Sequence, residues 1–110
     1  HYAPNTKCVL VNILDDNKKI EKINQIIKDN KDVCVIGFKE HKDKIKCKNY
    51  IEIGNKNDLE EFSKKIYTEL RKVDEYNVSL VIIEGVIQEG LGLAIMNRLI
   101  RTCEYNIITE

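Results

Sequence analysis

Hydrophobic positions in this 110-residue chain fall into short continuous runs that alternate with helical stripes. Residues 7–14 (KCVLVNIL) and 33–38 (VCVIGF) are apolar and β-branched with few polar breaks, the pattern of strands covered on both faces. Between them, Ile20, Ile23, Ile26 and Ile27 recur at helical spacing among lysines and acids, behind the capping residues Asp15, Asp16 and Asn17, which predicts a helix over 17–28. Gly37 is placed to turn the chain, and the charged stretch 39–48 offers only Ile45 and Cys47 to a core, so it reads as an irregular crossover holding at most a helical turn. Residues 49–53 (NYIEI) alternate and end at Gly54-Asn55, which suits a strand near the sheet edge.

The second half repeats the scheme. Asp58, with Glu61 three residues on, opens a helix whose stripe is Leu59, Phe62, Ile66, Leu70 and Val73. Residues 79–83 (SLVII) form the next buried strand, a glycine-bearing loop follows at 85–92, and a third helix is predicted over 91–103. Its apolar arc covers about 200°, about twice what one sheet contact needs, against a narrow strip of Asn97, Arg98 and Arg101. Residues 105–109 supply a final edge strand. Strand-helix-strand order with these connection lengths implies right-handed parallel crossovers. The fold class is α/β, a Rossmann-like three-layer sandwich around a mainly parallel sheet of four or five strands.

Composition narrows the function. One domain fits this length. Eighteen basic and eighteen acidic residues cancel, so no global positive field holds a phosphate backbone and a dedicated nucleic-acid binder is disfavoured, although Lys39, Lys42, Lys44, Lys46 and Lys48 form a local basic stretch. Like the lysine-rich face of helix one, that stretch reads first as solvated surface. No run approaches a membrane span and no signal peptide opens the chain, so no membrane partner is expected and the chain reads as a cytoplasmic segment. It starts at His1 without an initiator methionine, which fits a piece of a longer polypeptide. Cys8, Cys34, Cys47 and Cys103 form no C-x-x-C pair, and His1 and His41 lack metal spacing or a nucleophile partner, so core thiols and no independent hydrolytic or metal chemistry are expected.

In open α/β sheets, ligands settle at the carboxyl ends of strands, which makes the 85–92 loop the first candidate. Gly85 to Gly90 has phosphate-loop spacing, but Leu91 and Gly92 stand where a Lys and a Ser or Thr would hold phosphate and magnesium. Gly90-x-Gly92 is followed by Ile95 where a dinucleotide fingerprint needs a third small residue. The loop therefore reads as a tight turn or docking surface, with Gly85, Gly90 and Gly92 as its defining residues. Asp15-Asp16 is similar to the acidic pair of a receiver domain, but the third strand ends at Ile53-Gly54 without the required aspartate, leaving helix capping.

Two stretches together resemble the two-domain form of the threonylcarbamoyl-AMP synthase (L-threonylcarbamoyladenylate synthase) family: His1-Tyr2-Ala3-Pro4 resembles the end of its interdomain linker, and E-G-L-G-L-A-I-M-N-R-L, residues 89–99, resembles the signature of its C-terminal domain. Residues 5–83 carry no individually matched motif. The resemblance implies a parent enzyme, a nucleotidyltransferase, that makes threonylcarbamoyl-adenylate from ATP, bicarbonate and L-threonine for tRNA threonylcarbamoyladenosine modification. It implies that residues 1–6 end the linker and that 7–110 form an accessory domain. The N-terminal catalytic domain, with its ATP and magnesium, would lie outside this chain, leaving this domain inactive alone and without a cofactor. It further implies that His1 and Tyr2 form a lid over the nucleotide pocket. The excess apolar arc of helix three suggests a contact with that domain or the linker, with Asn97, Arg98 and Arg101 at its margin; the alternative is that strand five and the C-terminal tail cover it. A different class of function is a regulatory nucleotide- or anion-sensing domain with its own site at the 85–92 loop; a third, direct tRNA binding, is disfavoured by the zero net charge.

Overall fold

The computed structural model describes residues 3–110. Five strands, β1 (Cys8–Val11), β2 (Val33–Gly37), β3 (Asn49–Glu52), β4 (Leu80–Glu84) and β5 (Ile107–Ile108), form one sheet in the order β3-β2-β4-β1-β5. Every pairing is parallel. Three helices, α1 (Asp16–Asp29), α2 (Leu59–Lys72) and α3 (Leu91–Thr102), complete the sandwich. β1, β2 and β4 are buried along their whole length, as their unbroken apolar runs require, whereas β3 and β5 at the two edges are partly exposed.

Strand order decides where the helices lie. The steps from β1 to β2 and on to β3 run one way across the sheet; those from β3 to β4 and from β4 to β5 run the other way. Right-handed crossovers therefore send α1 to one face and α2 and α3 to the opposite face. The two cores agree. Ile20 and Ile23 of α1, with Ile45 from the crossover, pack on Val9, Val11, Val35 and Ile82. Phe62 and Ile66 of α2, with Ile95, Met96 and Leu99 of α3, pack on Leu10, Ile36, Val81 and Ile83. Alternate residues of each central strand thus serve opposite cores.

Local signals explain the element ends. Asp15 caps α1, its carboxylate accepting from Lys18 N at 2.9 Å, and Asp58 caps α2, accepting from Glu61 N at 3.1 Å. The crossover holds a single turn of 3-10 helix at Lys39–His41. β1 stops at Val11, short of the predicted 14: Asn12 still donates to Ile108 O of the edge strand, but Leu14 is exposed. Gly37 does not turn the chain at positive φ; it ends β2, and its missing side chain leaves the space occupied by the Glu84 carboxylate and the Tyr50 hydroxyl. Cys8, Cys34 and Cys103 are buried and Cys47 is half-buried, all as free thiols. Burial first, then neighbouring Cys47, pushes the Cys34 thiol up to about 12. No described helix is long and apolar enough to cross a membrane.

The start of the described chain is clamped to the amino edge of the sheet. Asp74, just after α2, accepts from Asn5 N (3.2 Å), Thr6 N (2.8 Å) and Thr6 Oγ1 (2.9 Å), while Pro4 is buried. These bonds fix the direction from which β1 is entered.

Candidate functional site

The loops after β1 and β4 leave toward opposite faces, and these two strands are neighbours, with Val11 in register with Glu84. That is the topological switch point of an open α/β sheet, where a crevice opens by construction. A cleft of about 700 Å³ lies there. Asn12, Ile13 and Leu14 form one wall and Gly85 to Glu89 the other; Phe38, Asp16, Lys19, Lys56 and Asn57 line it between, with Thr109 and Glu110 at its side.

Beneath the cleft sits a buried polar cluster drawn from four separate elements. Glu84, the last residue of β4, is fully buried. Its Oε2 accepts from Phe38 N at 2.8 Å, and its Oε1 lies 2.6 Å from His41 Nδ1 and 3.4 Å from Lys19 Nζ. Lys19 reaches from the first turn of α1, where side chains lean back toward the helix start and so toward the carboxyl edge of the sheet. Its ammonium also donates to Gly85 O at 3.1 Å and lies 5.0 Å from the Phe38 ring centroid. Tyr50, from β3, donates to Phe38 O and lies 3.4 Å from Glu84 Oε2. Burial, with the Glu84 charge behind it, drives the Tyr50 phenol upward and keeps it protonated.

Nearer the mouth, His41 Nε2 lies 3.6 Å from Asp16 Oδ2, and Asp16 also pairs with Lys56. Partial burial pulls the Asp16 carboxyl up, but the Lys56 hydrogen bond and the charges of His41, Lys56 and Lys19 outweigh it and leave the group below the ordinary aspartate range. Lys56 shifts upward in return, chiefly through the same bond. Among the described residues, no group of three or more His, Cys, Asp or Glu side chains is arranged to hold a metal ion.

The predicted site residues divide. Gly85 lines the cleft. Gly90 caps α3 at φ +55, ψ −127, a conformation essentially reserved for glycine. At Gly92 a Cβ would collide with the Ile87 carbonyl, so two glycines serve the turn and its close approach, and only Gly85 is part of the cleft. Asn97, Arg98 and Arg101 are exposed on α3; the Arg98 guanidinium lies 3.9 Å from the Tyr67 ring centroid on α2, and Arg101 Nε donates to Asn97 O at 3.4 Å. Strand five and the tail do not cover the apolar start of α3: Leu91 and Leu93 are 42% and 45% exposed. Ile87 and Leu14 are exposed beside the cleft. His1 and Tyr2 lie outside the described residues.

Sequence reasoning missed Lys19, His41, Tyr50 and Lys56. It assigned Lys19 to solvated surface, yet Lys19 is 4% exposed. The signal was present: Lys19, Ile23 and Ile26 follow one helical stripe, and Glu84 closes a run of four buried apolar residues. Asp15 does cap α1 as expected, while Asp16 belongs to the cluster. The lysines at 39, 42, 44, 46 and 48 are exposed.

With this geometry in view, comparison with known proteins is decisive. The sequence pattern of the family described as "Threonylcarbamoyl-AMP synthase, C-terminal domain" matches residues 1–103. The chain belongs to that family. A threonylcarbamoyl-AMP synthase of Pyrococcus abyssi is 33% identical over 111 residues, covering 98% of this chain and 31% of the relative. The Schizosaccharomyces pombe enzyme of the same name is 48% identical over 42 residues, 38% of this chain and 10% of its own length. The chain thus spans about a third or less of the synthases it matches.

Solved structures of the family agree on the fold. The crystal structure of P. abyssi Sua5 complexed with L-threonine superposes with a TM-score of 0.79 at 32% identity, covering 100% of this chain and 32% of that one. A C-terminal Sua5 domain from Pyrococcus horikoshii, crystallised by itself, gives 0.69 at 29% identity, covering 98% of this chain and 100% of that one. That P. horikoshii domain, which this chain matches along its whole length, is therefore a unit that folds alone.

Proposed function

We propose that residues 7–110 are the accessory domain of an L-threonylcarbamoyladenylate synthase and that residues 1–6 end the linker to its catalytic domain. The parent enzyme would form threonylcarbamoyl-adenylate from ATP, bicarbonate and L-threonine, with ATP and magnesium held by the catalytic domain, and supply the threonylcarbamoyl group for tRNA modification. In this reading the accessory domain contributes no reacting group. It anchors the linker so that His1 and Tyr2 close over the nucleotide pocket, and the α3 surface bearing Asn97, Arg98 and Arg101, with exposed Leu91 and Leu93, meets the catalytic domain.

The observation that carries the reading is the three-bond clamp of Asp74 on Asn5 and Thr6, which gives the segment after His1-Tyr2-Ala3-Pro4 a fixed direction. Pro4 fixes its own φ and pushes Ala3 towards extended geometry, stiffening the junction. The test uses a full-length synthase carrying this domain. Arg98→Glu should weaken docking, seen as slower threonine-dependent pyrophosphate release and a wider domain separation in small-angle scattering. Unchanged turnover with unchanged separation would remove the α3 contact. The isolated chain should release no pyrophosphate from ATP, bicarbonate and L-threonine; release would overturn the accessory assignment. A second reading, a nucleotide or anion sensor at the 85–92 loop, draws support from the cleft at the switch point but is opposed by the carboxylates that line it.

A further inference from the structure

The cleft and its floor are separate from the anchorage of Asn5 and Thr6 on Asp74, which lies at the opposite, amino edge of the sheet. Burying Lys19, Glu84 and His41 together costs solvation that apolar residues of similar volume would not, so the cluster contributes little net stability for its expense and suits a preorganised binding floor. The cavity is of the size that holds small ligands.

Its charges define the ligand. Lys19 and Lys56 face the cleft together with Asp16, Glu89 and Glu110, so carboxylates outnumber cations, and Glu84 lies just behind. A polyanion such as a nucleotide or pyrophosphate would add to this excess. A simple cation would meet the Lys19 ammonium at the bottom. Lys19 donates one N–H to Gly85 O and pairs with Glu84 Oε1 at 3.4 Å, which leaves a donor of its three for a ligand. At the mouth, the Asp16–Lys56 pair is partly exposed on both sides, at 33% and 41%, so it is weak and open to exchange of partners. The wall between these polar groups is apolar: Ile13, Phe38, Val86 and Ile87.

We propose that this cleft is a binding site for a small zwitterion of the free α-amino acid class. Its carboxylate takes the remaining Lys19 donor and Lys56, its ammonium takes Asp16 and Glu89, and its side chain lies on the apolar wall. The proposal stands without the closure reading, because it concerns only residues of this chain, and it replaces the polyanion of the sensor reading with a ligand that the charges accept.

The experiment is amide chemical-shift titration of the 110-residue chain, which corresponds to a unit that folds alone. The probes are L-threonine, L-serine, L-leucine, N-acetyl-L-threonine, L-threonine methyl ester, pyrophosphate and ATP. A free amino acid should shift amides at 13–14, 56–57 and 86–89 at millimolar concentration. Blocking either the amine or the carboxylate should weaken binding about tenfold or more, the scale of one lost charge-assisted hydrogen bond. Asp16→Asn and Lys56→Gln, both at partly exposed positions, should weaken it similarly while leaving the remaining spectrum in place. No shift with any free amino acid, equal binding of the blocked forms, or tighter binding of ATP or pyrophosphate at these amides would overturn the proposal.

Discussion

Removing the Glu84 carboxylate gives the sharpest test of the buried cluster. In Glu84→Leu, Lys19 keeps only the Gly85 carbonyl as a partner, and Phe38 N–H and His41 Nδ1 lose their acceptor. Breaking one side of a buried ion pair costs about 3–5 kcal/mol, and a buried N–H left unbonded costs about 1–3 kcal/mol. Against a domain stability of about 5–15 kcal/mol, the variant should be close to unfolding at the low end of that range. The double variant Lys19→Met with Glu84→Leu removes the stranded ammonium and should recover about 2–3 kcal/mol of the loss, but not the part due to Phe38 N–H. Urea denaturation with matched m-values measures the wild type, the single variants Glu84→Leu and Lys19→Met, and the double variant. If Glu84→Leu costs under about 1 kcal/mol, or if the double variant equals the sum of the single ones to within about 0.5 kcal/mol, the charges are not coupled and the argument fails.

Asp74→Ala should free the segment before β1: amide exchange at Thr6 should accelerate about tenfold or more while that of β1 stays slow, as expected for loss of hydrogen bonds worth about 1–2 kcal/mol. Gly92→Ala should destabilise the domain by about 1–3 kcal/mol because the new Cβ meets the Ile87 carbonyl, which a thermal melt would register. The Asp16 carboxyl is depressed below its ordinary 3.8, so its contribution is present above that pH and disappears as pH falls through the folded value. Asp16→Asn should accordingly flatten the acid limb of the stability curve, modestly and less so in high salt, because the Lys56 pair is half exposed; an unchanged acid limb would refute the assignment.

How much the residues reveal in advance depends on range. The apolar runs at 33–38 and 79–83, covered on both faces, and the stripe Leu59, Phe62, Ile66 and Leu70, facing one, specify elements because each is a local pattern. The Asp15 and Asp58 caps are local too. The cluster of Lys19, His41, Tyr50 and Glu84 is not: it exists only because β4 comes between β1 and β2, and no periodicity within a segment encodes which strands become neighbours. His41 illustrates the limit. It sits in a charged crossover and is 3% exposed only because Phe38, Asp16 and Glu84 converge on it. The glycines at 90 and 92 were visible as a turn, but the collision that forbids a side chain at 92 required the path of Ile87.

The sheet order also governs how the polypeptide can be made. Within the sheet β1 pairs only with β4 and β5, both from the last third of the sequence, so as the domain leaves the ribosome β1 stays unpaired until residues 80–84 emerge. During that interval β1 and β2, two hydrophobic strands that never touch in the finished sheet, are free to pair wrongly with each other or with another chain. Formation of this domain is therefore a late event in synthesis, and a truncation from β4 onward leaves only the β2–β3 pair, with β1 unpartnered.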